Sequence, residues 1–375
     1  MSYSKIDNEI ENTFKEKTIG VHYENNNMRM ISEDFDQAGT IISIGKLVDR
    51  IIKSEQLSFF VKDGSNTIDC TDQKILQSLR LYIVRNHLVK RIKYSFPIHR
   101  FNPYVELFTK NFTEKLVYQM DLYFNPITAD NCCYDKTVKV VDMLNVFVEE
   151  IKSKTTSLEF KNILNEYKDR SEKNYNNFLK YNDSIFARHA RVLTIRVDFS
   201  YRRNIALYPV ETQIYEDYCQ AKKDHARFCN NMRSNKIFQH LIGNAWRLEY
   251  TTMTGFHFHE IFYFDGSKVR EDMTIGQLIG EYWAENITGG RGRYFNCNAN
   301  KDGYKHLGIG MINADDVTLR TGLEITAAYL FKPDIYAKID VPYIARTYGR
   351  GVLKTLPETK RGRPRQKHEY LLHQA

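Results

Sequence analysis

The sequence of 375 residues is poor in cysteine and has no cysteine pattern that would build a framework. Its six cysteines include no C-x-x-C pair and stand at positions 70, 132, 133, 219, 229 and 297. Neither a zinc finger nor a disulfide scaffold is therefore indicated, and a reducing compartment fits this usage.

Long apolar runs are also missing. The first thirty residues are polar, without an apolar core of signal-peptide length, and no later run approaches the roughly 18 apolar residues that a membrane span needs. We therefore expect a soluble, cytoplasmic protein that does not act at a membrane.

Two sequence motifs of common enzyme classes are absent. No G-x-x-x-x-G-K-[ST] loop is present, so a built-in helicase is not expected and unwinding would need a partner. The segment His259-Glu260 is followed by Tyr263 where a zinc protease motif would need a second histidine, and this spacing excludes that class.

Basic charge is what the sequence has in excess. The net charge is +8, and the segment 346–367 is rich in Lys and Arg with Glu358 as its one acid. This distribution is consistent with a polyanionic partner, although a solvated basic tail would have the same composition.

Hydrophobic periodicity divides the chain into two parts. Residues 1–34 are polar and we expect them to be partly disordered, whereas residues 35–184 show repeated helical spacing and predict a mainly helical domain. The helical segments that we predict after the first apolar face, at residues 41–52, are 73–89, 102–118, 137–152 and 158–181.

The pattern changes near Arg191 to β-branched alternation. From there we predict a strand at 192–199, a helix at 212–233, strands at 237–251 and 255–264, a helix at 275–285, a glycine-rich loop, a strand at 307–313 and a helix at 316–332 that Pro333 ends. The predicted fold class is therefore α+β, with an antiparallel sheet domain at 185–351 flanked by helices and a basic tail at 352–375.

His257 and His259 provide the strongest local indication of chemistry. Residues two apart on a strand share a face, so these imidazoles project together while the neighbouring phenylalanines face the opposite way. Such a pair can bind a divalent metal, but an isolated H-x-H is more often two surface histidines on a solvent-facing strand.

Glu249 lies on the preceding predicted strand, and a short turn would bring it beside the two histidines. Two nitrogens and one carboxylate leave coordination positions for phosphate and water, which suits Mg²⁺ or Mn²⁺ as a Lewis acid. An ion pair between Glu249 and a neighbouring arginine is the alternative.

Tyr329 and Lys332 lie three residues apart at the end of the last predicted helix and share a face. A phenol with a pKa of about 10 is a poor nucleophile without a nearby cation or a polarised phosphate. Taken alone, Tyr329 would be an ordinary core or surface aromatic residue.

Several segments have the composition of DNA contacts. Arg291, Arg293 and Tyr294 follow flexible glycines and suit phosphate contact and base stacking, although a generic surface loop would look similar. In the tail, Arg361, Arg363 and Arg365 form an R-G-R-P-R run that resembles an AT-hook for the minor groove of A·T-rich duplex, with an ordinary basic tail as the alternative.

The order of these motifs resembles the HUH superfamily of replication initiators and relaxases, and most closely the YagK/YfjJ C-terminal domain family of prophages and inoviruses. The similar segments, which cover roughly residues 185–351, are I-R-V-D-F at 195–199, W-R-L-E-Y at 246–250, G-F-H-F-H at 255–259, Y-F-N-C-N at 294–298, Y-L-F-K-P-D at 329–334 and R-T-Y-G-R-G at 346–351. Arg346 and Arg350 of the last segment are further predicted DNA contacts.

The resemblance implies a metal-dependent endonuclease with ligands His257, His259 and Glu249 and with Tyr329 as the nucleophile that forms a 5′-phosphotyrosine. It implies a rolling-circle initiator that acts on single-stranded and origin DNA in a bacterial host, with host helicase and polymerase as partners. Pro333 interrupts the helix where a second tyrosine would stand, so we expect a one-tyrosine enzyme. A non-catalytic DNA-binding prophage protein on the same platform is the alternative, and the order of the motifs argues against a relaxase.

Overall fold

A computed structural model describes residues 3–16, 20–22, 28–30, 33–63, 65–124, 134–202, 210–344 and 346–353. Within these ranges the first half of the chain is mainly helical and the second half is built around an antiparallel sheet. The predicted α+β class, with a helical region followed by a sheet domain, is confirmed.

The first half contains eight helices and five short strands among the described residues. The helices are α1 (Tyr3–Glu16), α2 (Glu33–Lys53), α3 (Gln73–Val84), α4 (Asn86–Ser95), α5 (Pro103–Asn111), α6 (Glu114–Phe124), α7 (Tyr134–Thr156) and α8 (Leu158–Arg188). The strands are β1 (Gly20–His22), β2 (Met28–Met30), β3 (Phe59–Val61), β4 (Ile68–Cys70) and β5 (His99–Phe101).

The apolar face of α2 forms the centre of the helical half. Ile41, Ile44, Val48 and Ile51 are fully buried there against the helices that follow. Helical spacing predicted this face correctly, because burial of an apolar stripe is what stabilises such a helix in water.

Two predicted helices are each divided in two. The segment 73–89 breaks at Arg85, whose φ of −108° and ψ of 45° lie outside the helical region, and the segment 102–118 breaks after Asn111. The apolar spacing continues across both breaks because the shorter helices bury their apolar residues in the same core. Spacing alone therefore could not locate the interruptions.

The second half contains a sheet with helices on both sides. Its elements are β6 (Arg191–Tyr201), α9 (Glu211–Asn231), β7 (Leu241–Thr251), β8 (Gly255–Asp265), α10 (Asp272–Glu281), β9 (Gly292–Asn296), β10 (Gly310–Asn313), α11 (Val317–Phe331), β11 (Ala337–Ile339) and β12 (Tyr348–Arg350). The order of the main sheet is β10-β6-β8-β7-β12, β9 also pairs with β6, and every pairing is antiparallel.

The two faces of β8 bury different cores. Phe256, Phe258, Phe262 and Phe264 pack with residues of α9 and α10 on one face. On the other face, Ile261 and its neighbour Tyr263 pack with residues of α8 and α11. Because side chains alternate along a strand, His257 and His259 belong to the face covered by α8 and α11.

Several elements differ from the expected organisation. Helix α1 occupies residues 3–16, where we expected partial disorder, and α8 crosses the expected domain boundary at residues 184 and 185. The predicted glycine-rich loop contains strand β9. No helix among the described residues is both long enough and apolar enough to cross a membrane.

Candidate metal centre

Glu249, His257 and His259 come together on one face of the sheet. Glu249 on β7 lies directly opposite His257 on β8, and His259 follows two residues later on the same face. Oε2 of Glu249 lies 3.7 Å from Nε2 of His257 and 3.3 Å from Nε2 of His259. One potential ligand atom from each side chain fits within a cluster no wider than 4.8 Å.

Hydrogen bonds orient both imidazoles. Nδ1 of His257 donates to the carbonyl oxygen of Gly255 at 3.0 Å, and Nδ1 of His259 lies 2.9 Å from Oδ1 of Asp198. A carbonyl can only accept, so the proton of His257 belongs on Nδ1 and its lone pair on Nε2, as a metal requires. Nδ1 of His259 faces the carboxylate of Asp198 and, at 3.1 Å, an amino nitrogen of Arg196, so a metal on its Nε2 requires that the Nδ1 proton be donated to Asp198.

Asp198 is held in turn by Arg196, which donates to both carboxylate oxygens at 3.0 and 2.9 Å. Burial alone would raise the pKa of Asp198, but Arg196 and His259 hold it well below its usual value. Burial alone would lower the pKa of His259, and the carboxylates of Asp198 and Glu249 reverse this and raise it. A proton and a metal ion would therefore compete for Nε2 of His259.

The geometry of the cluster fits a divalent metal. Nε2 of His259 is buried and makes no hydrogen bond, although buried polar nitrogens nearly always have a partner. Metal–ligand distances of about 2.1 Å separate neighbouring ligand atoms by about 3 Å. The observed separations from Glu249 are close to that value, and three protein ligands leave open coordination positions.

Tyr329 and Lys332 lie at the end of α11, on the same side of the sheet. Leu330 and Phe331, the residues between them, line a small cavity together with His259. Gly322 lets α11 approach the preceding segment closely, because a Cβ there would lie 1.8 Å from the carbonyl oxygen of Leu307.

The hydroxyl of Tyr329 donates to Oε2 of Glu9 on α1 at 2.9 Å. Burial, together with the carboxylate of Glu9, holds the pKa of Tyr329 well above its usual value. The ammonium of Lys332 lies 5.1 Å from the ring centroid of Tyr175, so the described contacts connect it with α8 and not with Tyr329.

Arg247 connects three segments beside the cluster. It lies opposite His259 on β7, is 4 % exposed, and forms an ion pair with Asp334. Its guanidinium also donates to the hydroxyl of Thr347 at 3.1 Å and lies 5.5 Å from the ring centroid of Phe331. The end of α11 and the segment before β12 are thereby fixed to the strand that carries Glu249.

The three predicted DNA contacts around β9 have different environments. Arg291 is half exposed and forms an ion pair with the buried Asp224 at 3.1 Å. The ring of Tyr294 packs against Gly280 of α10, where a Cβ would lie 2.0 Å from it. Arg293 lies opposite Ser200, and Ser200 and Asp198 project from the same face of β6. Of the three predicted contacts, Arg293 is therefore the one that strand register places on the face of Glu249, His257 and His259.

Arg346 and Arg350 are both exposed, and they line a groove between α8 and the end of the described chain. Arg361, Arg363 and Arg365 lie outside the described residues, as does the whole AT-hook-like segment.

Two residues at this site were not predicted from the sequence. Asp198 lies in a segment with a strand pattern, but only the pairing of β6 with β8 reveals its contact with His259. Glu9 reaches Tyr329 from 320 positions away, and no local pattern indicates such a contact.

The model of the YagK/YfjJ C-terminal domain family matches residues 153–340. The matched region contains Glu249, His257 and His259 of the candidate metal centre, together with Asp198, Tyr329 and Lys332. No curated protein and no solved structure is significantly similar to the chain.

Proposed function

The chain belongs to the YagK/YfjJ C-terminal domain family, and we propose that it is a metal-dependent nuclease of the HUH type that nicks and rejoins single-stranded DNA. In this proposal it initiates rolling-circle replication of a phage, prophage or plasmid in the bacterial cytoplasm. Host helicase and polymerase would act on the nicked origin.

The observation that carries the proposal is the cluster of Glu249, His257 and His259. Both imidazoles have their Nδ1 atoms engaged, and their Nε2 atoms lie 3.7 and 3.3 Å from one carboxylate oxygen of Glu249. This arrangement supports binding of a divalent ion such as Mg²⁺ or Mn²⁺. A bound divalent ion would supply Lewis-acid polarisation of the scissile phosphate.

The residues of the chain would then carry out a transesterification. The phenolic oxygen of Tyr329 loses its proton to solvent and forms a bond to the scissile phosphorus, while the bond from phosphorus to the 3′-oxygen breaks. The departing 3′-oxygen takes up a proton, which leaves a 3′-hydroxyl and a 5′-phosphotyrosine. Attack of a 3′-hydroxyl on the same phosphorus reverses the step and rejoins the strand.

Two contacts have to change before this step. The hydroxyl of Tyr329 must leave Glu9 to reach a phosphate, and Lys332 must turn away from Tyr175 to stabilise the developing charge. The described arrangement therefore corresponds to a resting state of the nucleophile.

The experiment uses the purified full-length protein with labelled single-stranded DNA from the origin region of the replicon that encodes it. With Mn²⁺ we expect an adduct that resists denaturation, and with EDTA none. Tyr329→Phe should abolish the adduct, whereas the matched control Tyr336→Phe should retain it. Complete absence of an adduct on DNA that contains the origin would instead favour a non-catalytic DNA-binding protein.

A further inference from the structure

A basic groove of about 600 Å³ lies between α8 and the segment 338–350. Four cationic side chains from separate elements line it: Arg170 on α8, Lys338 on β11, Arg346 and Arg350. Because these residues come from different parts of the chain, only the folded protein brings them together.

The carboxylates that line the groove neutralise only part of its charge. Asp334 is engaged by Arg247, and Asp340 lies 3.8 Å from both Arg100 and Arg170. Among the described residues, no ion pair includes Lys338, Arg346 or Arg350. The groove therefore has an excess of positive charge.

Lys338 is the most informative of the four cations. Its side chain is 5 % exposed, and its ammonium donates to the carbonyl oxygen of Tyr167 at 3.2 Å and lies 3.7 Å from the centroid of that ring. Burial, followed by the charges of Arg170 and Arg100, lowers its pKa to about 8. An ammonium has three donors, so an anion in the groove would satisfy a charge that is costly to bury.

The groove adjoins a smaller cavity beside the candidate metal centre. The two cavities share Asp334, Lys338 and Ile339 as lining residues, and the wall of the smaller one includes Glu249 and Arg247. A chain of phosphates that occupied the groove would thus lie in the neighbourhood of the ligand cluster. A single small anion would not require four cations from α8, β11, β12 and the segment before β12.

The geometry points to this groove as the binding site for the sugar-phosphate backbone of the nucleic-acid strand beside the scissile phosphate. Arg346 and Arg350 are contacts that the sequence already predicted, and the groove adds Arg170 and Lys338 to them. The assignment to the strand that is cut rests on the proposed function, whereas binding of the backbone in the groove does not require cleavage.

The test is binding of a fluorescent oligo-dT by the full-length protein in EDTA, measured by anisotropy at several salt concentrations. For the double variant Arg170→Gln/Arg350→Gln we expect roughly tenfold weaker binding and a smaller salt dependence, because each lost phosphate contact removes about 0.7 from the slope. The matched control is Arg80→Gln/Arg85→Gln, which removes two exposed arginines of the helical half and should bind as the wild type does.

Lys338→Met provides a second variant with an independent readout. Lys338 is a buried ammonium without a carboxylate partner among the described residues, so its replacement by an apolar side chain should leave the free energy of unfolding unchanged or increase it, while oligonucleotide affinity falls. A loss of affinity through misfolding would instead lower the unfolding free energy.

Unchanged affinity in both groove variants would overturn the inference, as would an equal loss in the control pair. Because no metal is present, this result is independent of the nicking assay. Groove-dependent binding without any covalent adduct would reject the proposed enzyme and retain the groove.

Discussion

Asp198 determines how His259 presents its nitrogen. The carboxylate accepts from Nδ1 of His259 at 2.9 Å and is itself held by Arg196. Such a partner fixes the tautomer and the orientation of the ring, and it increases the basicity of a metal-ligating nitrogen. In the proposed metal centre, Asp198 is therefore a positioning residue for His259.

Asp198→Asn keeps an acceptor oxygen but removes the charge next to His259. We expect Mn²⁺ affinity, measured by titration calorimetry on the full-length protein, to fall roughly 10- to 100-fold. The matched control is Asp183→Asn, which makes the same substitution at an exposed carboxylate of α8. Wild-type affinity in Asp198→Asn would show that His259 does not depend on this partner.

Arg247 shows how elements that are distant in sequence are fixed around the candidate site. Its guanidinium connects β7 with Asp334 after α11 and with Thr347 before β12. Removal of one partner from a buried ion pair leaves the other charge uncompensated, which costs more than the pair itself contributes. The position of α11 relative to Glu249 therefore depends on this contact.

Asp334→Asn should lower the free energy of unfolding by about 3 kcal/mol, because it leaves Arg247 buried without its carboxylate. The matched control is again Asp183→Asn, which removes a largely exposed carboxylate from Arg320 and should cost less than about 1 kcal/mol. Urea denaturation measures both values. Equal losses in the two variants would contradict the role assigned to Arg247.

A buried pair on the opposite face connects α9 with β8. Nε2 of His225 lies 2.7 Å from Oε1 of Glu260, and its ring stacks on Phe258. Burial alone would lower the pKa of His225, but Glu260, with a contribution from Cys229, raises it to about 10. A histidine pKa that is higher in the folded than in the unfolded state stabilises the fold below the unfolded value of about 6.5.

This stabilisation should be lost as the pH rises from about 6.5 through 10. We expect the free energy of unfolding to decrease above neutral pH by on the order of 1 kcal/mol per pH unit from this group. His225→Gln should show a shallower decrease when urea denaturation is repeated at pH 7, 8 and 9. Identical slopes in the two proteins would mean that His225 does not titrate in this range.

Single elements were more predictable than their pairing. The alternation of β8 predicts that His257 and His259 share a face, and a short turn predicts that Glu249 lies near them, since both depend on local sequence. Pairing of β6 with β8 and β9 depends on contacts across 59 to 99 positions. For that reason the sequence does not reveal the contact of Asp198 with His259.

At the scale of the whole molecule, the N-terminal helix belongs to the site region of the C-terminal half. Phe14 of α1 stacks on Tyr336 with ring centroids 5.3 Å apart, and Glu9 accepts from Tyr329. The ammonium of Lys305 also binds Glu9 and holds the pKa of this carboxyl below its usual value. Glu9 is therefore a weak base that holds the hydroxyl of Tyr329 and does not activate it.

Glu9→Gln should accelerate adduct formation roughly 3- to 10-fold, because loss of the carboxylate lets the pKa of Tyr329 fall toward its usual value. Glu11→Gln is the matched control on the same helix, since Glu11 pairs with Lys46 and has no described contact with Tyr329. The rate is measured from the time course of the metal-dependent adduct. Slower formation in Glu9→Gln would identify Glu9 as the proton acceptor.

The most direct test of the account is to identify the amino acid that becomes attached to DNA. The protein is incubated with origin-region single-stranded DNA and Mn²⁺, digested with nuclease and protease, and the modified peptide is sequenced by mass spectrometry. We expect a nucleotide linked through phosphate to Tyr329. Attachment at another tyrosine, or a nick without any protein-linked nucleotide, would contradict it.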